Sequence, residues 1–450
     1  MAEIKRGICR SIDADGIGLV DGNPFIDVLP GEEIRFDPKT MKIMERTSVS
    51  PQRINPSCPY FERCGSCQFL HWSYLAQLEW KTDQVKNLFS KLTKKDVEAC
   101  LGTELNFGYR GKNILSFKSS ERKILAGYYA AKSHQLFDVE SCQVSHPKAM
   151  AIFMSIKELA RQFKVEIYDE DKRRGLLRHA MIRIAVTTGE ILVVLIVAHS
   201  EFKGRKNFAA ALIAKHPEIT SIVENINSRS TSIVLGTQER TIYGKGYIVD
   251  KLGEYTFKIS ARSFYQVHPT QTEILYSTAL KGANLQKSDI LLDAYSGVGT
   301  IGIYASKLVK EVICIENNPD ASEDARLNGR HNHVTNVKFV CADVTQWISD
   351  SSRPLVKIDV VVMDPPRDGS DKQFLTVLRK LQPRTIIYIS CNPETQARDV
   401  KELMSVYDIT SIQPVDMFPQ TSHIENIVVL NRRIFDYRHK FDDDSSTEVT

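Results

Sequence analysis

The sequence predicts an α/β protein whose carboxyl-terminal part is a doubly wound, Rossmann-like sheet, preceded by a small β-barrel and a central α+β module. Three observations predict it. From Asp289 onward, apolar runs at 289–293, 311–316, 337–341, 359–363 and 385–390 alternate with helix-like segments, the pattern of parallel strands joined by crossover helices. The first run opens into the glycine-rich Asp293-Ala294-Tyr295-Ser296-Gly297-Val298-Gly299-Thr300-Ile301-Gly302, a strand-to-helix turn that lets backbone approach a ligand. Gly16, Gly18, Gly22, Pro24, Pro30, Gly31 and Pro38 punctuate the amino end between runs such as Gly18–Val20 and Phe25–Leu29, the spacing of short barrel strands.

A chain of 450 residues is long enough for several domains, each with its own core. The barrel is expected over 1–56 and the central domain over 57–72 and 109–262. Residues 73–108 read as a helical segment, because Leu75, Leu78, Val85, Leu88, Phe89 and Leu92 recur at helical spacing through 73–92. In the central module, strand-like runs such as 191–197 alternate with turns and one helix near 148–163. The doubly wound domain takes 263–436, with a helix at 394–406. The acidic 437–450, including Asp442-Asp443-Asp444, reads as a disordered tail.

Composition excludes several classes. With 42% hydrophobic and 25% charged residues and no apolar run of bilayer length, the expectation is a cytoplasmic protein without membrane or obligate protein partner. A net charge of +4 is too small to establish a nucleic-acid partner, so local distribution must carry that argument. Nine cysteines without an export signal read as thiols, ligands or catalysts rather than disulfides.

The strand ends carry polar residues in a telling order. Gly297 and Gly299 leave room for a ligand, a feature shared by dinucleotide and S-adenosylmethionine sites. Glu316 ends the second strand, where a carboxylate can accept from both ribose hydroxyls; Asp343 ends the third, facing an adenine edge. The fourth closes on Asp364-Pro365-Pro366-Arg367, whose rigid prolines fix a polar group over the crevice. At the fifth, Cys391 in Ser390-Cys391-Asn392-Pro393 sits before a helix amino end, which favours thiolate. Glu425 in His423-Ile424-Glu425-Asn426 stands before the apolar run 427–430. A thiol nucleophile and a carboxylate base beside a nucleotide-type cofactor point to methylation of a pyrimidine carbon. Thiolate addition at carbon 6 makes carbon 5 nucleophilic, and a base must later remove the carbon 5 proton.

These segments resemble the signatures of RNA uracil-5-methyltransferases, as does Ser260-Ala261-Arg262-Ser263-Phe264-Tyr265-Gln266-Val267 upstream. The resemblance implies that Gln266, Tyr295, Glu316, Asp343 and Asp364 hold S-adenosylmethionine with the Gly297/Gly299 loop, that Cys391 is the nucleophile and that Glu425 is the base. The loop departs from the family at Ser296 and Thr300, leaving a threonine hydroxyl in place of the usual asparagine.

Cys58, Cys64 and Cys67 follow a C-x5-C-x2-C spacing, with Cys142 as a distant fourth; spacing alone admits zinc or a [4Fe-4S] cluster. The arrangement resembles the iron-sulfur site of the 23S ribosomal RNA branch, and Leu29-Pro30-Gly31-Glu32 resembles its amino-terminal TRAM (OB-like) barrel. That branch implies the cluster, an RNA partner, and a helix 73–92 packed on the catalytic domain. Asp171-Lys172-Arg173-Arg174-Gly175-Leu176-Leu177-Arg178-His179-Ala180-Met181-Ile182-Arg183 is the densest basic stretch, suited either to phosphate contacts or to a solvated face. Tyr109-Arg110-Gly111-Lys112 resembles a basic, aromatic family segment. The rival readings are a transfer RNA T-loop enzyme, which in typical bacterial form lacks barrel and cluster, and a noncatalytic RNA-binding assembly factor. An amino-group methyltransferase would place an aromatic residue where Arg367 stands.

Overall fold

Glycine and proline keep the first strands short. In the computed structural model, which describes residues 4–120, 123–131, 133–231, 233–350, 352 and 357–433, they form an open antiparallel sheet. It consists of β1 (Lys5–Ile12), β2 (Gly18–Val20), β3 (Asn23–Phe25), β4 (Glu33–Asp37) and β5 (Lys42–Ser48), in the order β3-β2-β1-β4-β5. Cys9, Val20, Phe25, Val28, Ile34 and Phe36 are its core. The run 25–29 is not one strand: β3 stops at Phe25, and the chain turns so that Asp27 meets Arg46 at 3.1 Å and Arg53 at 2.7 Å. Glu32, fully buried, accepts hydrogen bonds from Arg53 Nη2 (2.7 Å) and the Leu29 and Ser50 amides. The tail expected at 437–450 lies outside the described residues.

After the short α1 (Phe61–Cys64), α2 (Tyr74–Phe89) is capped by Ser73 and buries Ala76, Gln77, Trp80, Lys81, Val85 and Phe89. These positions share one helix face. Trp72, Trp80 and Phe89 join Leu292, Ile313 and Tyr388 of the carboxyl-terminal sheet in one core. The helical reading of 73–108 needs correction, because no helix continues past α2. The later residues run extended, with the Glu98 and Leu101 amides donating to the Ile412 and Pro414 carbonyls at 3.0 Å. Pairing with a sheet edge satisfies the backbone there without a helix.

The central module holds β6 (Lys112–Ser120), β7 (Lys123–Tyr129), β8 (Leu136–Asp138), α3 (Pro147–Gln162), β9 (Leu177–Ile184), β10 (Ile191–Val197), α4 (Arg205–Lys215), β11 (Ile219–Ile226) and β12 (Gln238–Tyr243). Its sheet order is β12-β11-β10-β9-β6-β7-β8. The basic stretch 171–183 divides here. Lys172, Arg173 and Arg174 are exposed on a turn, whereas β9 carries Arg178, His179 and Arg183 inward. Arg178 donates to the Asn227 and Arg229 carbonyls, and Arg183 to those of Ala261 and Ser263. Half of the apparent phosphate-binding stretch is therefore internal framework. Tyr109 is likewise buried, stacked on His268 with ring centroids 4.8 Å apart.

A hairpin of β13 (Tyr247–Leu252) and β14 (Tyr255–Ser260) leads to the last layer. There follow α5 (Pro269–Gly282), β15 (Ile290–Ala294), α6 (Thr300–Ala305), β16 (Glu311–Glu316), α7 (Pro319–His331), β17 (Val337–Cys341), α8 (Val344–Ser349), β18 (Val360–Met363), α9 (Lys372–Leu381), β19 (Thr385–Ser390), α10 (Pro393–Leu403), β20 (Tyr407–Val415) and β21 (Glu425–Arg432). The order is β17-β16-β15-β18-β19-β21-β20, with β21 antiparallel to both neighbours. The chain leaves β15 toward one edge and returns on its other side at β18. That switch point is where such sheets bind ligands. No helix among the described residues is long and apolar enough to cross a membrane.

Candidate active site

Strand register assembles the site at the carboxyl edge of this sheet. In the antiparallel pair β19·β21, Ser390 faces Asn426, so the next residues outward, Cys391 and Glu425, stand on opposite sides of one gap. In the parallel pair β18·β19, Met363 is beside Tyr388, which brings Asp364 to the same edge. The side chains interact accordingly. Burial pushes the Cys391 thiol up to about 11, and the Glu425 and Asp364 carboxylates push the same way against the hydrogen-bonding Arg367. Glu425, 2% exposed, is pushed well above the usual carboxylate range by burial and then by Asp364. Burial lifts Asp364 to about 7.

Asn392 caps α10 through the Glu394 amide at 3.1 Å, and against the thiolate-favouring helix amino end stand the desolvation of Cys391 and its two acidic neighbours. Arg367, for which the sequence reading assigned no role, is the cation beside the thiol. Its place after the two prolines was the available signal.

The glycine loop is built for close approach. Gly302 lies so near β16 that a Cβ would meet Cys314 Sγ at 2.3 Å, which explains the third glycine. Gly297 has φ +56° and nothing within 4 Å of an added Cβ, leaving open space on that side of the loop. Tyr295 also adopts φ +62°, an uncommon conformation for a bulky residue, with its hydroxyl 3.1 Å from Ser370 Oγ and its ring edge-on to Phe374. Glu316 accepts from the Gly297 amide at 2.9 Å and the Asn318 amide at 2.7 Å. Asp343 caps α8 through the Gln346 amide, and the Thr300 hydroxyl lies 3.3 Å from that of Tyr276. Gln266 is half-buried in the segment after β14, which packs on α7. Asp293, also missed from sequence, accepts from the Gly302 amide at 2.8 Å; burial raises its carboxyl to about 7.

Matching the tRNA (uracil-5-)-methyltransferase family model, residues 73–433 contain every element of this edge. The chain belongs to the RNA uracil-5-methyltransferase family. It is 37% identical to an uncharacterized RNA methyltransferase of Halalkalibacterium halodurans over 93% of this chain and 94% of that protein. An uncharacterized RNA methyltransferase of Staphylococcus aureus is 35% identical over 95% and 98%. Among solved structures, the Pyrococcus abyssi tRNA (uracil-54, C5)-methyltransferase in complex with S-adenosyl-L-homocysteine is similar, with a TM-score of 0.78 and 28% identity, covering 94% of this chain and 99% of that one. Like other members of an RNA uracil-5-methyltransferase family, this chain is an RNA-methylating enzyme.

Outside the catalytic edge of this family member, Cys58, Cys64, Cys67 and Cys142 line one cavity together with Tyr60, Phe61, Arg110 and Tyr128. Burial raises the Cys67 thiol, as do Cys142 and Cys64. All four are free thiols. Among the described residues, no three Cys, His, Asp or Glu side chains converge as ligands of one metal ion.

Proposed function

We propose that this protein transfers a methyl group from S-adenosylmethionine to carbon 5 of a uridine in ribosomal RNA, with Cys391 as nucleophile and Glu425 as base. The observation that carries the reading is the β19·β21 register, which sets thiol and carboxyl across one gap beside Asp364. When bound, S-adenosylmethionine supplies an electrophilic methyl group. Gln266, Tyr295, Gly297, Gly299, Thr300, Glu316, Asp343 and Asp364 would hold it, and the open space beside Gly297 supports the fit.

Cys391 thiolate adds to carbon 6 of uracil, forming a C–S bond while the C5=C6 π pair moves toward O4. Carbon 5 then takes the methyl group, and the electron pair of the broken S–CH3 bond stays on the donor sulfur. Glu425 removes the carbon 5 proton; the released pair restores C5=C6 and expels the thiolate. A carboxyl with a raised pKa is a stronger base once ionised, which suits Glu425 to this step. Arg367 offsets the negative charge of the Cys391 thiolate before it adds.

Cys58, Cys64, Cys67 and Cys142 are assigned to a [4Fe-4S] cluster. What supports the assignment is that all four cysteines, spaced as in the branch the sequence resembles, line one cavity. Nothing in methyl transfer needs electrons, so the role would be structural.

A second reading, methylation of transfer RNA, is favoured by the whole-chain likeness to the Pyrococcus enzyme, which weakens the argument that amino-terminal architecture separates the substrates. Mapping 5-methyluridine in RNA from cells with and without the gene decides. Loss from ribosomal RNA supports the first reading and loss from transfer RNA the second. An N-methylated base as the only product of the purified enzyme overturns both.

A further inference from the structure

The loop that presents Glu425 is held from outside. Between β20 and β21, Lys81 reaches Asp416 at 2.6 Å, Tyr109 Oη donates to the Pro419 carbonyl at 3.1 Å, and Gln77 exchanges hydrogen bonds with Gln420 at 3.0 and 3.1 Å. These contacts fix the first half. Nearer the glutamate, the Phe69 amide donates to the Gln420 carbonyl at 3.1 Å, and Gln68 Oε1 accepts from the Ser422 amide at 3.2 Å. The other end of the same Gln68 amide, Nε2, donates to the Gly65 carbonyl at 2.8 Å. Gly65 stands between Cys64 and Cys67. Gly16, in the turn between β1 and β2, backs the side chain so closely that a Cβ there would lie 2.7 Å from Gln68 Cβ, while Ile424 shares a core with Ile12, Leu29 and Phe69.

We propose that Gln68 is a positioning residue for proton removal: one side-chain amide ties the cysteine-bearing loop 58–67 to the segment that carries Glu425. The inference rests on the reading of Glu425 as the base. It also gives the cysteine site a job in the reaction, because whatever orders Cys64 and Cys67 orders Gly65, and through Gln68 the Ser422 end of the base loop. Cys391 lies between β19 and α10, whereas the Gln68 amide bonds to Gly65 and Ser422, so thiol addition and methyl transfer should be insensitive to it.

The test separates the two halves of the reaction in Gln68→Ala and Gln68→Glu. Two probes are used, a 23S ribosomal RNA transcript and a transfer RNA T-arm stem-loop, each made with uridine or 5-fluorouridine, together with methyl-labelled S-adenosylmethionine. On the fluorinated probe that wild type attacks, Gln68→Ala should form covalent adduct within two-fold of the wild-type rate. On the matching uridine probe, the same variant should accumulate denaturation-resistant methylated adduct and release 5-methyluridine RNA about ten-fold more slowly, equivalent to about 1.4 kcal/mol. Gln68→Glu keeps an acceptor for Ser422 but loses the donor for Gly65, and should fall between. Wild-type release by Gln68→Ala overturns the proposal. So does equal slowing of adduct formation and release at unchanged thermal stability. Failure of wild type to attach to either fluorinated probe instead overturns the underlying assignment of Cys391 and Glu425.

Discussion

The environment of Cys391 makes a quantitative prediction about its reactivity in the free protein. With the thiol pushed to about 11 by burial, Glu425 and Asp364, about one molecule in a thousand carries thiolate at pH 8, against about a quarter for an ordinary thiol near 8.5. The loss is roughly 200-fold. A more basic thiolate is also a better nucleophile, and a Brønsted slope of about 0.4 returns about ten-fold, leaving a net slowing of about twenty-fold. Reaction with 4,4′-dithiodipyridine, followed by mass spectrometry of the Cys391 peptide, should rise about ten-fold per pH unit from pH 8 to 10 without levelling. Glu425→Gln removes one of the two acidic neighbours and should lower the midpoint. Adding S-adenosylmethionine, whose sulfonium is cationic, should accelerate the reaction at pH 8, while the neutral thioether S-adenosylhomocysteine should not. A wild-type profile that plateaus above pH 9 would refute the reasoning, because the acidic cluster would then not be raising the thiol.

Four further outcomes are expected. Asp293 has its carboxyl raised from 3.8 to about 7, so its penalty on folding grows as pH rises between those values and stays constant above; Asp293→Asn should raise the melting temperature at pH 8 and leave it unchanged at pH 4. Lys81 and Asp416 are both fully buried at 2.6 Å, so Lys81→Met should cost about 3–5 kcal/mol in urea unfolding by stranding the carboxylate, and Lys81→Met with Asp416→Leu should recover part of it. Gly302→Ala places a methyl group 2.3 Å from Cys314 Sγ and 3.0 Å from Asp293 Oδ2; an overpacking cost of about 1–3 kcal/mol and weaker S-adenosylmethionine binding by calorimetry should follow. Charge reversal of the exposed Lys172, Arg173 and Arg174 should lower the slope of log affinity for RNA against log salt by about 2 to 3, whereas an unchanged slope would remove that turn from the interface.

Much of this protein can be read from its sequence because its chemistry sits in short motifs at the ends of regular elements. The runs 311–316 and 385–390 are strands with those same bounds, since a strand covered on both faces is largely apolar along its length and cannot hide that pattern; 337–341 also keeps its bounds, although it is a partly exposed edge strand. The glycines at 297, 299 and 302 are legible for the same reason: positive φ and close helix–strand approach each leave a residue that only local geometry explains. What the sequence could not supply is whatever depends on pairing between distant segments. The opposition of Cys391 and Glu425 comes from the register of β19 on β21, and the raised thiol from burial beside two carboxyl groups that two other strands deliver. Arg178 and Arg183 look like RNA contacts in a basic run, yet β9 is buried along its whole length, and backbone carbonyls hold both side chains inside. The grip of Gln68, Gln77 and Lys81 on the Glu425 loop spans most of the chain. Such contacts leave no periodicity or spacing behind, because burial and hydrogen bonding across the fold are set by where the backbone returns in space, and only the tertiary structure decides that.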